Sequence, residues 1–324
     1  MKTTFNITNS DCNLGRFASR AEFLTLLGEG FDGVELMDCG GGLGDILRTE
    51  DVVGLHMSCP YCWLDFWNGD KERCAAEFGS WENACAVFGG DTRQALVDRF
   101  RRDLALAKEY GAEYMVFHVA DSTSRETLTG RYDHSDEEVI DAACDWINAA
   151  MDGETDGPLL LMENLWEPGL TLTRPEMTRR LLAGVRYARR GIMLDTGHLL
   201  HTDLSLRTQK EGLDYIKRRL YEHGELGQWI RGVHLNQSLT GAYMRRVRRD
   251  PPALPEDYGE RLGVLFDYVF QADQHKPFTA PGIRELIEQI GPDYLTFEFI
   301  SSDLAQHKAM LRRQRRALEK GERA

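Results

Sequence analysis

The stretch GIMLDTGHLLHTD, Gly191 to Asp203, decides the fold of this chain. Its apolar start, residues 192–194, predicts a buried strand, and Asp195 and His198 follow where that strand ends. In parallel α/β barrels the carboxyl ends of the strands carry the chemistry. Taken alone, the segment fits a helix-capping Asp beside a surface His equally well. The choice therefore depends on whether other strands end in the same way.

Seven further stretches have the composition of short strands, and segments of helical periodicity separate them. The eight predicted strands are Thr4–Thr8, Gly33–Met37, Val52–Met57, Tyr114–Val119, Leu159–Glu163, Gly191–Asp195, Ile230–Leu235 and Tyr294–Ile300. The predicted helices include Phe17–Leu27, Thr92–Tyr110, Asp136–Met151, Arg174–Arg189, Leu206–Glu222 and Gly282–Gln289. This alternation predicts an α/β protein, a (β/α)8 TIM barrel forming a single domain over residues 1–324.

Two segments are longer than the barrel requires. Residues 58–90 are rich in aromatic residues and cysteine. They are either a lid that contacts substrate through Trp63 and Trp67, or a satellite that packs on itself. Residues 237–271 carry a basic cluster, which is either a solvated loop or a rim that binds phosphate or carboxylate. The arginines proposed to contact substrate are Arg245, Arg246 and Arg248.

Charge and composition exclude several classes of protein. The formal net charge of −13 argues against a surface that holds a nucleic acid backbone. The sequence shows no charged-then-apolar leader and no apolar run of about 18 residues, so we expect a cytoplasmic protein without a membrane segment. The seven cysteines indicate reduced thiols. This interpretation is favoured over a redox or zinc-binding role for the CPYC motif at 59–62.

Side chains that can bind metals recur at the ends of the predicted strands. They are His56, His118, Glu163, Asp195 with His198, His234 and Glu298. Burying several carboxylates and imidazoles together is costly unless cations neutralise them. Mixed histidine and carboxylate ligands suit zinc, manganese, iron or cobalt. The sequence therefore predicts a polynuclear metal site.

The motifs around these residues resemble the xylose isomerase-like TIM barrel superfamily, and their metal pattern is most similar to that of endonuclease IV. The motifs are LHMSCP, VFHVAD, LLMENLW, DTGH, VHLNQS, LTFEF and DQHKPFTAPGI, the last of which adds Asp273 and His275. The resemblance implies three ligand sets: His56, His118 and Glu163; Glu163, Asp195, His234 and Glu298; and His198, Asp273 and His275. It implies two to three divalent ions, with zinc as the first choice and manganese, iron or cobalt as alternatives.

The activity that the resemblance implies is metal-assisted hydrolysis of a phosphate ester or diester, with Glu163, Asp195 and Glu298 as catalytic carboxylates. One alternative is a mononuclear sugar or sugar phosphate isomerase or epimerase, which needs only the second ligand set. An abasic-site DNA repair nuclease and a metal-stabilised binding module also stay open. The acidic charge favours a small anionic or nucleotide-bearing substrate over DNA. The sequence does not indicate an oligomeric state.

Overall fold

Eight parallel strands close into a barrel in the order of the chain, as the sequence predicts. The structure is a computed structural model that describes residues 1–10, 13–58 and 60–319. The strands are β1 Lys2–Thr8, β2 Gly33–Met37, β3 Val52–His56, β4 Tyr114–His118, β5 Leu159–Glu163, β6 Arg190–Asp195, β7 Ile230–His234 and β8 Tyr294–Phe297. Pairing of β8 with β1, in which Phe297 stands opposite Phe5, closes the barrel.

Helices connect the strands on the outside of the barrel. They are α1 Arg20–Leu27, α2 Leu64–Asn68, α3 Lys71–Phe78, α4 Trp81–Phe88, α5 Gln94–Tyr110, α6 Ser124–Thr129, α7 Asp136–Ala150, α8 Pro175–Gly184, α9 Thr196–His201, α10 Gln209–His223, α11 Gly241–Arg249, α12 Tyr258–Ala272, α13 Ile283–Ile290 and α14 Leu304–Glu319. Short 3-10 helices span Leu14–Arg16, Thr49–Asp51 and Gly224–Trp229. In the described ranges, no helix combines the length and the apolar character needed to cross a bilayer.

Two predicted elements end three or more residues early in the structure, where a side chain from elsewhere binds the backbone at the end of the element. Helix α8 ends at Gly184, five residues before the predicted end, where the Asn148 side chain binds Gly184 O and Arg186 N at 2.9 and 2.7 Å. Strand β8 ends at Phe297, and the backbone N–H of Phe299 donates to Asn6 Oδ1 at 2.9 Å. Local periodicity carries no information about such long-range contacts.

Side chains alternate between the inside and the outside of the barrel along each strand. Tyr114 of β4 fills the inside, where it packs with Val116, Leu161 and Met193. Position 54, which faces Tyr114, requires a glycine, because a Cβ at this position would lie 2.1 Å from the Tyr114 ring. The much larger core lies between the strands and the surrounding helices.

The same alternation places the predicted ligands in one layer at the carboxyl ends of the strands. His118 stands four residues after Tyr114 and therefore points to the same side. In the register of the barrel His118 pairs with Glu163, and Asp195 pairs with His234. Strand geometry thus brings together side chains that are far apart in sequence.

In the first long segment, residues 58–90, the described residues from 60 onwards form α2, α3 and α4. Asp121 attaches it to the barrel, because its Oδ1 accepts hydrogen bonds from Trp63 N at 2.6 Å and Leu64 N at 3.0 Å. Cys62 and Cys74 form no disulfide, and burial raises the pKa of both thiols, to about 12 for Cys74. Buried thiols of this kind are unreactive, which agrees with the reduced-thiol interpretation for them. Cys59, the first residue of the CPYC motif, lies outside the described residues.

The second long segment forms α11 and α12, which pack with α6 above the barrel. Their apolar contacts, made by Leu128, Met244, Tyr268 and Ala272, form a cluster separate from the main core. We call these three helices the roof. The roof covers one side of the barrel mouth and leaves a cavity between itself and the strand ends.

Candidate metal centre

The nine predicted ligands converge at the carboxyl ends of the strands. They form the groups His56, His118 and Glu163; Glu163, Asp195, His234 and Glu298; and His198, Asp273 and His275. Within each group, one ligand atom from every residue lies within 4.8 Å of the others. Three of the candidate groups contain the same residues as the sets that the family resemblance implies, and Glu163 belongs to two of them. A fourth candidate group combines His56 and His234 with Glu35, which the sequence did not single out.

The first group is arranged around one carboxylate oxygen. Glu163 Oε2 lies 3.3 Å from His56 Nε2 and 3.2 Å from His118 Nε2. His56 Nδ1 donates to the carbonyl of Met57 at 3.0 Å, so the lone pair of its Nε2 faces Glu163. A hydrogen bond of this kind on the far nitrogen is what orients a metal-binding histidine.

The second group surrounds His234. Its Nδ1 lies 3.2 Å from Glu163 Oε1 and 3.3 Å from Glu298 Oε2, while Asp195 Oδ2 is 3.8 Å away. On the opposite side of the ring, Nε2 lies 2.9 Å from Glu35 Oε2. Sequence reasoning missed Glu35, and the signal available was an acidic residue inside the apolar strand GVELM.

Asp195 fits both interpretations that the sequence left open, a helix-capping residue and a carboxylate at the barrel mouth. Its Oδ1 accepts from His198 N at 2.6 Å and caps α9, while its Oδ2 accepts from the Asn236 amide at 2.7 Å beside the second group. Gly197 permits this approach, because a Cβ there would lie 1.9 Å from Asn236 Oδ1. His198 is buried rather than on the surface.

The third group is centred on Asp273. Its Oδ2 lies 3.2 Å from His198 Nε2 and 2.6 Å from His275 Nε2. Its Oδ1 accepts from Ser238 Oγ at 3.0 Å and lies 3.3 Å from His201 Nε2. Sequence reasoning missed these two supporting residues, although His201 stands in the DTGHLLH segment itself.

The electrostatics of the site are dominated by buried opposite charges. Burial by itself would raise the pKa of Glu163, but His234 and His118 hold it well below its usual value. Burial would likewise lower the pKa of His198, yet the carboxylates of Asp195 and Asp273 hold it well above the usual value. Burial raises the pKa of Glu298 to about 7. The carboxylates thus need nearby positive charge, which histidine protons or metal cations can provide.

Two buried polar atoms that lack well-directed hydrogen bonds indicate whether divalent cations fit these residues. Glu163 Oε2 and His275 Nδ1 are buried, and neither makes a well-directed hydrogen bond with a described residue, although charged partners lie 3.2–3.5 Å away. Both belong to residues of the ligand groups, where a cation would satisfy them. The donors are imidazole nitrogens and carboxylate oxygens, a set that suits zinc, manganese, iron or cobalt. The residues present therefore fit a divalent-metal centre.

A cavity of about 310 Å³ lies beside the centre and reaches His118. Its aromatic walls are Tyr61, Trp166 and Phe266. The predicted substrate contacts Trp63 and Trp67 lie elsewhere: both rings are buried, with centroids 5.0 and 6.2 Å from that of Trp146. These two tryptophans attach the first long segment to α7 and do not line this cavity.

The three predicted substrate-binding arginines do not converge. Arg245 donates to the carbonyl of Leu204, and Arg246 lies 5.2 Å from the centroid of the Tyr243 ring. Only Arg248 turns inward, where its guanidinium packs against Gly130 at the end of α6. Sequence reasoning missed Trp166 and Glu167 at the cavity, although both follow Glu163 closely in the ENLWEPG segment.

A closed parallel barrel with histidines and carboxylates at the carboxyl ends of its strands defines a class of TIM barrels that carry candidate metal ligands at the barrel mouth. Within that class, the chain belongs to the xylose isomerase-like TIM barrel family, whose sequence profile matches residues 44–320.

Solved structures of similar shape carry the names of different kinds of enzyme. Endonuclease IV from Thermus thermophilus is 16% identical, with 98% of this chain and 99% of that chain covered and a TM-score of 0.51. A D-tagatose 3-epimerase-like protein is 14% identical, with 98% of each chain covered and a TM-score of 0.50. The probable 3-DHS dehydratase AsbF from Bacillus anthracis is 14% identical, with 98% and 99% covered and a TM-score of 0.51. At these identities the likeness shows the fold alone, and no curated protein matches the sequence.

Proposed function

We propose that the protein is a divalent-metal-dependent phosphoesterase that hydrolyses a phosphate ester or diester of a small molecule. The observation that carries the proposal is the third ligand group, His198, Asp273 and His275, which stands beside a complete second group. A mononuclear isomerase or epimerase needs only the second group. A third group shaped for a cation supports a polynuclear centre.

When bound, two or three divalent ions, with zinc as the first choice, would polarise the phosphate and lower the pKa of a water molecule. The chain's own part is to fix the spacing of the groups. Glu163 does so directly, because Oε2 faces His56 and His118 while Oε1 lies 3.2 Å from both His198 Nδ1 and His234 Nδ1. Such placement of reacting groups is a large part of catalysis of phosphoryl transfer.

Backbone and amide groups hold the carboxylate and histidine ligands in position. His198 Nδ1 donates to the carbonyl of Asn164 at 3.0 Å, which leaves its Nε2 for the third group. The Asn164 side chain accepts from Asp195 N at 2.9 Å and donates to Asp195 O at 3.1 Å. This asparagine therefore connects the second and third groups.

The size of the cavity and the charge of the chain support a small substrate. At about 310 Å³ the cavity is at the lower end of the range for small-molecule sites. The net charge of −13 opposes the phosphate neutralisation on which proteins that hold duplex DNA depend. We therefore propose a small phosphorylated molecule as the substrate and not a nucleic acid.

The test is metal reconstitution followed by assays in parallel. Chelator-treated protein is loaded stepwise with zinc or manganese and assayed with bis(p-nitrophenyl) phosphate, with D-tagatose, and with abasic duplex DNA. We expect phosphodiester hydrolysis that needs more than one equivalent of metal. Saturation of a sugar epimerase activity at one equivalent would contradict the proposal, and efficient cleavage of the duplex at physiological salt would contradict the small-substrate assignment.

A further inference from the structure

Helix α12 of the roof presents apolar side chains to the cavity beside the metal centre. Leu265, Phe266 and Val269 of this helix line the cavity. His118 of the first ligand group lines the same cavity. Phe266 is nevertheless 51% exposed, and Phe270, one turn later, is 60% exposed. The two rings stack, with their centroids 6.1 Å apart and their planes at 27°. Two adjacent aromatic rings therefore remain open to solvent at the edge of a cavity that reaches a candidate metal ligand.

The exposed face of α12 is distinct from the face that packs the roof. Tyr268 and Ala272 belong to the buried roof cluster and stand four positions apart, as do Phe266 and Phe270. The two pairs are offset by two positions, which is about 200° around an α-helix. Single exposed apolar side chains are ordinary on a protein surface, whereas adjacent ones that border a groove mark a place where a ligand binds. The exposed pair is therefore available to a ligand of the cavity.

The polar residues of the cavity limit the kind of ligand. The described lining contains no lysine or arginine, and it includes the acidic residues Asp121 and Glu167. Asp121 Oδ1 already accepts from two backbone N–H groups of the first long segment. The hydroxyls of Ser122 and Thr127 bind each other at 2.8 Å. A charged group or a sugar would therefore find few partners here, and the lining favours an uncharged apolar group.

The cavity has room for an aromatic ring system. An apolar void of about 150 Å³ holds a benzene molecule. The volume of this cavity is about 310 Å³. Trp166 and Phe266 provide ring faces, and Leu165 provides an aliphatic wall. Since contacts between aromatic rings gain stability beyond the burial of their area, an aryl group suits both the volume and the walls.

We infer that this cavity binds an uncharged apolar group, an aryl group or one of similar size, which is carried by the phosphate that the metal centre binds. The inference rests on the proposed function, because it assigns the organic part of the same ester. Phe266 sets the preference, and Phe270 supports its ring by stacking. The substrate class is thus an aryl-type phosphate ester and not a sugar phosphate.

The test is calorimetric titration of the metal-loaded protein with phosphonates, whose carbon–phosphorus bond is not cleaved by ester hydrolysis. The probes are 1-naphthylmethylphosphonate, benzylphosphonate, 2-hydroxyethylphosphonate and inorganic phosphate. We expect the naphthyl compound to bind about tenfold or more tightly than the hydroxyethyl compound, because the cavity removes the aryl group from water. Equal affinity for the three phosphonates would overturn the inference.

A second titration distinguishes failure of this inference from failure of the proposed function. Its probes, 1-naphthol and glycerol, carry no phosphate. Binding of 1-naphthol but not of glycerol, together with no binding of inorganic phosphate, would support the apolar site and contradict the phosphoesterase proposal. Binding of inorganic phosphate with equal affinity for all three phosphonates would overturn the apolar site alone.

Variants of Phe266 separate recognition from an effect on the fold. Phe266→Ala should reduce the preference for the naphthyl over the hydroxyethyl compound by about tenfold, because apolar contact area is lost. Phe266→Leu, which keeps an apolar side chain, should retain most of the preference, and both variants should bind inorganic phosphate as the unmodified protein does. Tyr221→Ala, at an exposed aromatic position of α10, is the matched control. Full preference in Phe266→Ala would overturn the inference.

Sedimentation velocity tests a second copy of the chain as the other occupant of the exposed face. The unmodified protein and the double variant Phe266→Ala with Phe270→Ala should sediment alike, because the face is assigned to substrate. A dimer that the double variant converts to a monomer would show that a second copy covers the two rings, and would overturn the inference.

Discussion

Glu35 lies directly beneath His234, with its Oε2 2.9 Å from His234 Nε2 on the side of the ring opposite the candidate ligands Glu163, Asp195 and Glu298. The same oxygen accepts from Tyr114 Oη at 2.7 Å and from Thr296 Oγ1 at 3.1 Å. The carboxylate therefore fixes the imidazole so that Nδ1 points at Glu163, Asp195 and Glu298. A polar layer inside the barrel thus supports the candidate metal centre from below.

This support predicts that Glu35→Gln weakens metal binding without removing a ligand. The loss of an outer carboxylate partner should lower metal affinity by roughly 10–100-fold. Competition with a coloured chelator measures the affinity, and Glu50→Gln at an exposed position is the control. Unchanged affinity in Glu35→Gln would show that His234 is held in place without this carboxylate.

The shared position of Glu163 predicts that Glu163→Gln abolishes turnover and leaves the fold intact. Its two oxygens face different ligand groups, so the loss should exceed the roughly 10–100-fold effect of removing an outer partner. Hydrolysis rates and circular dichroism measure the two quantities. Activity near that of the unmodified protein would end the assignment of Glu163 to two groups.

The third ligand group predicts the number of ions. Elemental analysis should find two to three divalent ions in each chain, and His275→Ala should remove one of them while the barrel stays folded. His223→Gln is the control, because His223 binds Thr178 and the carbonyl of Arg219, away from the ligand groups. A single ion in both the unmodified protein and the His275→Ala variant would favour the mononuclear isomerase.

The close approach at Gly197 predicts a steric effect on the centre. A methyl group there meets Asn236 Oδ1 at 1.9 Å, so Gly197→Ala should displace the amide that binds Asp195. Overpacking of this kind costs about 1–3 kcal/mol of unfolding free energy, and metal affinity should fall with it. Gly227→Ala is the matched control, because a Cβ at that position meets nothing within 4 Å. Denaturant unfolding and chelator competition measure both effects, and equal behaviour of the two variants would contradict the prediction.

His307, which contacts Phe5 and belongs to none of the candidate ligand groups, predicts part of the pH dependence of stability. Burial, assisted by the charge of Arg16, lowers the pKa of His307 from 6.5 to about 4. Between these values the unfolded chain binds a proton that the folded chain does not, so stability falls as pH drops from about 6.5 towards 4. His307→Leu should reduce the loss of unfolding free energy between pH 7 and pH 5 by about 2 kcal/mol.

Denaturant unfolding of both proteins in excess chelator measures this difference, and the contributions of all other groups cancel in the comparison. An identical pH dependence in the variant would show that His307 titrates normally in the folded protein.

The sequence by itself determined the order of the strands and the layer of polar residues at their ends. An apolar run followed by Asp195 or His118 is a local pattern, and strand periodicity alone carries such a side chain to the inside of the barrel. Seven of the nine candidate ligands could be named because each stands at the end of a strand or in the DTGH motif. The other two, Asp273 and His275, could be named only through the family resemblance of the DQHKPFTAPGI motif.

Only the tertiary structure decided which side chains support the ligands and surround the cavity. Glu35 reaches His234 across 199 positions of sequence, and Asn148 ends α8 from another helix. Trp63 packs into the core although the sequence allowed it a place on a substrate-contacting lid. Arg248 turns inward and Arg246 does not, although both belong to the same basic cluster in the sequence. These outcomes depend on how the roof and the barrel pack in three dimensions, and packing between distant segments leaves no periodic signal in the chain.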